Sequence, residues 1–194
     1  SLVFKDNRII QFWINGTVNA SLKTNRTFED SSKFYHILVS VDTTQSTASD
    51  RIKMYIDGDQ ITSFSTENYP SQNYDGHWGT AVSTSVGSSN SPNRYMNGYL
   101  AEVNYVDGTA LGPDTFGVTD TSTGRWIPKT LTGITYGTNG FRLQFGSSSA
   151  LGEDTSGNGN DFSVTNLVAG DQTTDSPTQN HATFSPSFSS SSML

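Results

Sequence analysis

The sequence predicts an all-β fold, an antiparallel β-sandwich of the jelly-roll type, and three alternating stretches carry that prediction. These stretches are residues 34–42, 51–57 and 98–106. A period of two places successive side chains on opposite faces of a strand, so that one face can be buried. Asp57-Gly58 and Asp107-Gly108 close two of these stretches with dipeptides typical of tight turns. We therefore expect two packed antiparallel sheets and almost no helix.

The composition agrees with many short strands joined by turns. Of 194 residues, 32% are hydrophobic and 11% aromatic, and 18 are glycine. A domain of this size buries about 70% of the surface that its unfolded chain exposes, which allows a substantial core. The content of aromatic and β-branched residues is too high for a disordered chain.

Charge and cysteine content exclude several classes of function. The net charge is −7 and the pI is about 4.7, so a nucleic-acid partner, which requires a basic face, is not expected. No apolar run reaches the length of a membrane span, so membrane insertion is not expected either. The absence of cysteine excludes disulfides, thiol nucleophiles and zinc-thiolate sites, and it favours assembly in a reducing cytoplasm.

The first half of the chain reads as a series of hairpins. Residues 8–14 form a strand candidate that Asn15-Gly16 would turn into a return strand over 18–23. In the stretch 34–42, the strongest of the strand signals, one face is formed by Tyr35, Ile37, Val39 and Val41. In the stretch 51–57, the matching face is formed by Ile52, Met54 and Ile56, and residues 60–64 follow as the next strand.

The second half is less regular. We expect residues 65–97 to be a long polar loop with one strand at 80–87, since loops of that length are usually functional or disordered. Pro113 begins a short helical turn that Gly117 can stop. Further strands are expected at 126–128, where proline favours an edge, and at 140–146.

Three of these motifs resemble laminin-G-like domains of the concanavalin A-like lectin/glucanase superfamily. The closing strand of that family reads Gly-x-Ile-Asp-Glu-Val-x-Ile-Tyr-x-x-Ala-Leu, and Glu102-Val103 and Ala110-Leu111 fall in register with it. Residues 34–37 are similar to its Trp-His-His-Val strand, and residues 54–58 are similar to its Leu-Tyr-Val-Asp-Gly strand. The resemblance covers residues 34–117 in the order of the family and implies a concanavalin A-like sandwich.

A second resemblance spans nearly the whole chain. Laminin-G-like segments of tail and virion proteins from marine bacteriophages are similar to residues 41–58, 69–73, 98–103, 136–141 and 156–162. It implies a structural or adhesive role on a virus particle that is assembled in the host cytoplasm. The partners it implies are a host surface glycan and other virion subunits, with repeated copies of this chain in a homo-oligomer.

The domain organisation follows from the same patterns. Residues 1–170 form the sandwich, of which 118–170 is a looser C-terminal part, and residues 171–194 form an extended Ser/Thr/Pro-rich tail or linker. No strand resembling the opening Phe-Thr-x-Ser-x-Trp-Val-Lys of the family is recognised. We therefore expect a fragment of a larger protein whose missing strand is supplied from upstream or by a neighbouring subunit.

The sequence offers no catalytic residue. Glycosidases of this superfamily place Glu-x-Asp-x-x-Glu on one strand, which brings their carboxylates to one face, and this chain lacks that triplet. Glu102 stands alone in a strong strand and is interpreted as structural. His36, His77 and His181 match no metal or triad spacing, and His36 is interpreted as a hydrogen-bonded structural residue.

A candidate carbohydrate site lies in the long loop. Its residues are Asn73, Tyr74, Asp75, His77, Trp78, Arg94 and Tyr95. Sugars stack on aromatic rings and hydrogen-bond with amides and carboxylates, so this combination suits a glycan. The alternative is that Tyr74 and Trp78 anchor the loop to the sandwich, and the exposure of these rings distinguishes the two.

A candidate calcium site lies near the C-terminus. Asp154, Asn158, Asn160 and Asp161 supply oxygen ligands among turn-forming glycines, and Ca²⁺ is therefore the one cofactor considered. The alternative is an Asx/Gly turn held by its own side chains, because the bidentate glutamate of an EF-hand is absent.

Three functions follow from these observations. The first is a non-enzymatic virion protein, a tail fibre, tail-associated or capsid-surface adhesin that contacts host glycan. The second is a packing domain between virion subunits that binds no sugar. The third, disfavoured by the missing carboxylate triplet, is an unusual glycosidase.

Overall fold

The computed structural model describes residues 2–4, 8–14, 20–76, 84–88 and 95–178. The strands in these ranges are Leu2–Phe4 (β1), Ile10–Ile14 (β2), Ala20–Thr24 (β3), Ile37–Val41 (β4), Ile52–Ile56 (β5), Asp59–Ile61 (β6), Phe64–Asn68 (β7), Val103–Tyr105 (β8), Gly117–Thr119 (β9), Trp126–Pro128 (β10) and Phe141–Leu143 (β11). Helix within the same ranges is limited to the 3-10 turns Ala48–Asp50, Pro113–Thr115 and Ala169–Asp171. None of these turns has the length and apolar character needed to cross a membrane.

All the strand pairs are antiparallel. The largest sheet has four strands in the order β1-β2-β3-β7, and a second sheet has three in the order β4-β5-β6. β9 pairs with β10, and β8 pairs with β11, as two smaller ribbons. The prediction of an all-β, antiparallel fold with almost no helix is confirmed.

The two larger sheets pack face to face over one hydrophobic core. The buried side chains are Ile10, Phe12 and Ile14 of β2, Ala20 and Leu22 of β3, Phe28, and Ile52, Met54 and Ile56 of β5. Leu22, Met54 and Ile56 are fully excluded from solvent, and a buried aliphatic side chain contributes about 1.5–3 kcal/mol. This shared core makes the chain a β-sandwich, the predicted fold.

The β4–β5–β6 meander matches the sequence prediction closely. Its predicted inner face does pack against the core, through the four side chains Tyr35, Ile37, Val39 and Val41. Asp57 and Gly58 join β5 to β6 with φ angles of 52° and 88°. Two successive left-handed residues are typical of a type I′ turn, which explains the Asp-Gly pair at this position.

Two predicted segments are wrong in extent. The strand expected over 98–106 is limited to β8, because Tyr99 and Leu100 are exposed and the pairing with β11 spans three residues. The loop expected over 65–97 begins with a strand instead, since β7 pairs with β3. The expected strand at 80–87 lies largely outside the described residues, and its described part, 84–87, is not a strand.

The C-terminal part contains two of the predicted strands. The edge strand at 126–128 is confirmed as β10, and the strand expected at 140–146 is confirmed in its centre as β11. Three strands precede residue 34, and the expectation that the opening strand of the family lies outside this chain stays a prediction.

Candidate functional site

A groove of about 260 Å³ runs beside the edge strand β4. One wall consists of residues 38–41 of β4, and the other consists of residues 104–111, which include the end of β8 and the Asp107-Gly108 turn. Residues 74–76 line it as well. We call this feature the β4 groove.

The β4 groove combines polar side chains with an aliphatic surface. Its polar lining consists of Ser40, Thr43, Tyr74, Asp75, Asn104, Tyr105, Asp107 and Thr109. Leu38, Val106 and Leu111 contribute aliphatic surface. Burial, with a smaller effect from nearby Asp107, raises the pKa of Tyr105, so its hydroxyl stays protonated at neutral pH. Concave sites with apolar walls and a few polar groups are typical ligand sites.

The wall at 74–76 is positioned by the β4–β5 loop. The amide N–H of Asn73 donates to the carbonyl of Thr43 at 2.7 Å, and the Thr43 hydroxyl donates to the carbonyl of Tyr74 at 2.9 Å. Asn73 adopts a φ of 58°, a left-handed conformation that asparagine tolerates better than most residues. This turn places Tyr74 and Asp75 at the groove.

Arg51 ties the same two loops together. Its guanidinium donates hydrogen bonds of 2.8 Å to the carbonyl oxygens of Gln45, Ser46 and Pro70. The first two oxygens belong to the β4–β5 loop, and the third precedes the 74–76 wall. The planar fork of five donors makes arginine suited to such a junction.

The opposite wall is fixed through Asp107. One carboxylate oxygen, Oδ2, accepts hydrogen bonds from the backbone and side-chain N–H groups of Asn139 at 3.3 and 3.0 Å. The Asp107 amide donates to the carbonyl of Tyr136 at 2.8 Å. These contacts use one oxygen of Asp107 and leave Oδ1 able to accept a further bond.

The structure brings part of the predicted carbohydrate site to the β4 groove. Tyr74 and Asp75 line it, whereas Asn73 is exposed beside it, and Tyr95, which is 72% exposed, is not part of its lining. The predicted residues His77, Trp78 and Arg94 lie outside the described residues. Tyr74 is partly buried against the core, which agrees with the anchoring alternative for this ring.

Several groove residues were missed by sequence reasoning. Asp107 was interpreted only as part of a turn, and Ser40 and Thr109 were not singled out. For Asp107 and Thr109 the available sequence signal was their position, because the Asp107-Gly108 turn directly follows the strand that resembles the family. Only the packing of that turn beside β4 shows that these side chains share one groove.

Glu102 lies outside the β4 groove lining and within a polar network. Its Oε1 accepts hydrogen bonds from Arg142 Nε at 2.6 Å and from Asn104 Nδ2 at 3.2 Å. The Tyr136 hydroxyl donates to Asn104 Oδ1 at 2.7 Å, and burial raises the pKa of that phenol. This network connects the β8 region to β11, which fits the structural interpretation of Glu102.

The predicted calcium loop is dense with hydrogen bonds. Asp154 is 8% exposed, and its carboxylate accepts bonds from the backbone N–H groups of Arg142, Ser156 and Asn160 at 2.8–2.9 Å. Burial alone would raise the pKa of Asp154, but these hydrogen bonds lower it. Asp161 Oδ1 in turn accepts the Asp154 N–H at 2.8 Å.

The two asparagines of this loop point their amides at a neighbouring turn. Asn158 and Asn160 both donate to the carbonyl of Gly140, at 2.8 and 2.9 Å. No cluster of three or more His, Asp or Glu side chains suited to a metal ion occurs in the described part of the chain. These contacts brace residues 137–140 and agree with the Asx/Gly-turn interpretation, while a calcium ion at this loop stays a prediction.

His36 belongs to an aromatic cluster that includes Phe116, a residue that also lines the β4 groove. Its ring lies 5.6 Å from Trp126 and 6.3 Å from Phe116 between centroids. Its Nδ1 is buried without a hydrogen-bond partner, and so is the Nε1 of Trp126. Burial lowers the pKa of His36, although Asp57 and Glu102 act to raise it. The ring therefore packs as a neutral imidazole in a structural role, but the predicted hydrogen bonding is wrong for Nδ1, which lies among aromatic rings without a partner in the described residues.

The comparisons with known proteins agree with this fold. A laminin-G-type family model, described as the concanavalin A-like lectin/glucanases superfamily, matches residues 1–115. No curated protein and no solved structure gave a match. The matched region contains β1 to β8 and both walls of the β4 groove. Because it covers more than half of the 194 residues, the chain belongs to the concanavalin A-like lectin/glucanases superfamily.

Proposed function

We propose that this chain is a lectin-like domain that binds a glycan in the β4 groove and catalyses no reaction. The observation that carries the proposal is the groove itself, which Asp75 and Asp107 line together with aliphatic residues beside the edge strand β4. A sugar ring presents hydroxyl donors around its rim and C–H groups on its face. Carboxylates accept strong hydrogen bonds from hydroxyl groups, and aliphatic surface covers the C–H face.

The biological setting belongs to the same proposal. The resemblance to marine bacteriophage proteins supports a virion protein, as a tail fibre, tail-associated protein or capsid-surface adhesin that contacts host surface glycan. The absence of cysteine is compatible with assembly in the host cytoplasm. Other virion subunits, including copies of this chain, are the protein partners proposed.

Two alternatives remain beside this proposal. The partly buried ring of Tyr74 favours a packing domain that binds no sugar, because that ring anchors a loop rather than presenting a stacking surface. A glycosidase is disfavoured because the chain lacks the Glu-x-Asp-x-x-Glu triplet of the superfamily's glycosidases, and Glu102 is engaged by Arg142 outside the groove lining. Calcium, if it takes part, is proposed at the loop of Asp154, Asn158, Asn160 and Asp161.

The test is a glycan array probed with the full-length protein and with a variant whose groove is obstructed. Thr109 lines the β4 groove and is exposed, so Thr109→Trp fills its mouth without entering the core. Thr132, also exposed, is not part of the groove lining, and Thr132→Trp is the matched control. We expect the wild type and Thr132→Trp to bind the same glycans and Thr109→Trp to lose them. Equal binding by all three proteins would place the site elsewhere.

A further inference from the structure

The charged residues that line the β4 groove are Asp75 and Asp107, and no Lys, Arg or His is part of its described lining. From this, and resting on the proposed function, we infer that the groove prefers amino sugars to neutral sugars and rejects acidic sugars. The shape of the groove supports the binding of a sugar, and the negative charge of these two residues is a separate observation that indicates which class of sugar is preferred.

The two carboxylates differ in how they are held. Asp107 lines the groove, and its carboxylate is held by the two bonds that Oδ2 accepts from Asn139, so its charge has a defined position. Asp75 is exposed where the 74–76 wall meets the groove. A protonated amino group can bond to either oxygen as a charged donor, and such bonds are stronger than those of a neutral hydroxyl.

An acidic sugar meets the opposite situation. A uronate or sialate carboxylate in the groove would lie near two like charges, and the described lining offers no cation to pair with it. The exposed position of the groove moderates both effects, since solvent screens charges there. A preference of about fivefold per carboxylate is the upper end for exposed pairs, so we expect amino sugars to bind about fivefold to tenfold better than neutral ones.

The net charge of −7 also repels acidic glycans, and a control must separate this general field from the local one. Asp75→Asn/Asp107→Asn removes two negative charges from the groove. Asp59→Asn/Glu153→Gln removes two exposed charges that are not part of the groove lining. The two variants have the same net charge, so only the first alters selectivity if the groove sets it.

The experiment measures the affinity of full-length protein by calorimetry for oligosaccharides of equal length. The probes are glucosamine, N-acetylglucosamine and galacturonate oligomers, which are cationic, neutral and anionic. We expect binding to weaken in that order for the wild type and for the control variant. In the groove variant we expect the preference for the glucosamine oligomer to disappear and the galacturonate oligomer to gain affinity.

The outcomes separate the two proposals. Galacturonate binding as tight as the neutral oligomer in the wild type would overturn the charge selection and leave glycan binding standing. If the three oligomers kept the same order of affinity in the groove variant, that result would also overturn the charge selection and leave glycan binding standing. Asp75→Asn alone, which leaves the Asp107–Asn139 contact intact, repeats the test if the double variant is poorly folded. Failure of every oligomer to bind, on the array as well, would overturn the proposed function itself.

Discussion

Trp126 packs against the β5–β6 turn at Gly58, and a double-mutant cycle between these two residues measures how tightly. A Cβ atom at Gly58 would lie 2.5 Å from Trp126 Cζ3 and 2.6 Å from Cε3, both within van der Waals overlap. Gly58 also has a φ of 88°, which an L-residue adopts only with strain. Gly58→Ala therefore combines backbone strain with overlap against a rigid ring.

The two contributions can be separated in magnitude. Left-handed backbone strain costs about 1–2 kcal/mol, and overpacking against a side chain that cannot yield costs about 1–3 kcal/mol. Gly58→Ala should thus lower the free energy of unfolding by about 2–5 kcal/mol. In a Trp126→Ala background the overlap is absent, so the same change should cost about 1–2 kcal/mol.

The assay is urea unfolding of the four proteins, with the free energy of unfolding extrapolated to water. Gly133→Ala is the control, because Gly133 has a φ of 70° and no heavy atom within 4 Å of its added Cβ. We expect Gly133→Ala to cost the same in both backgrounds. If Gly58→Ala also costs the same in both, Trp126 does not pack on this turn and the reasoning fails.

Three further predictions follow from the contacts described above. Burial lowers the pKa of His36, so the fold is stabilised while this side chain is neutral, and that stability is lost as the pH falls from about 6.5 towards the lower folded pKa. His36→Phe should therefore reduce the decrease in the free energy of unfolding that urea unfolding measures between pH 7 and pH 5. An unchanged pH dependence would contradict this. Asp154→Asn should lower the free energy of unfolding by about 2–3 kcal/mol, because the carboxylate accepts several backbone hydrogen bonds, and it should lower Tm equally in calcium and in chelator. If calcium instead raises the Tm of the wild type and this variant abolishes that rise, the loop is a metal site. Glu102→Gln should weaken the contact with Arg142. In assays on β-glucans, neither the wild type nor this variant should release reducing sugar. Release by the wild type that the variant loses would show that the protein is a glycosidase.

The sequence predicted the fold where one rule decides the structure. Alternation in 34–42 and 51–57 placed Ile37, Val39 and Met54 towards the core, because a strand with one buried face has a period of two. Asp57-Gly58 predicted the β5–β6 turn, since few other pairs accept two positive φ angles. Both signals are local, so they are readable without knowledge of the rest of the chain.

The failures involve contacts between distant segments. β7 has the sequence Phe-Ser-Thr-Glu-Asn, which has no apolar alternation. It is a strand because β3 pairs with it, and the paired residues lie 40 or more positions apart in the sequence. Such pairing by backbone groups leaves no mark in side-chain periodicity. The strand expected to begin at Gly98 is shorter than predicted. The residues around Tyr99 alternate as in a strand, but in the described chain only residues 103–105 pair with β11.

The candidate site shows the same division. Sequence reasoning found Tyr74 and Asp75 through their residue types, because amides, carboxylates and rings in a loop suit a sugar. It did not find Asp107, which shares the β4 groove with Asp75 only because the turn after β8 packs beside β4. A site built from segments separated by about 30 residues requires the tertiary structure.

The most direct test of glycan binding in the β4 groove is a chemical-shift titration. Backbone amide spectra of isotopically labelled protein are recorded while the best ligand from the array is added. We predict dose-dependent shifts at Asp75, Gly76 and residues 107–109, with little change at the Asp154 loop. Saturable binding with shifts confined to other parts of the chain would contradict this account of the site.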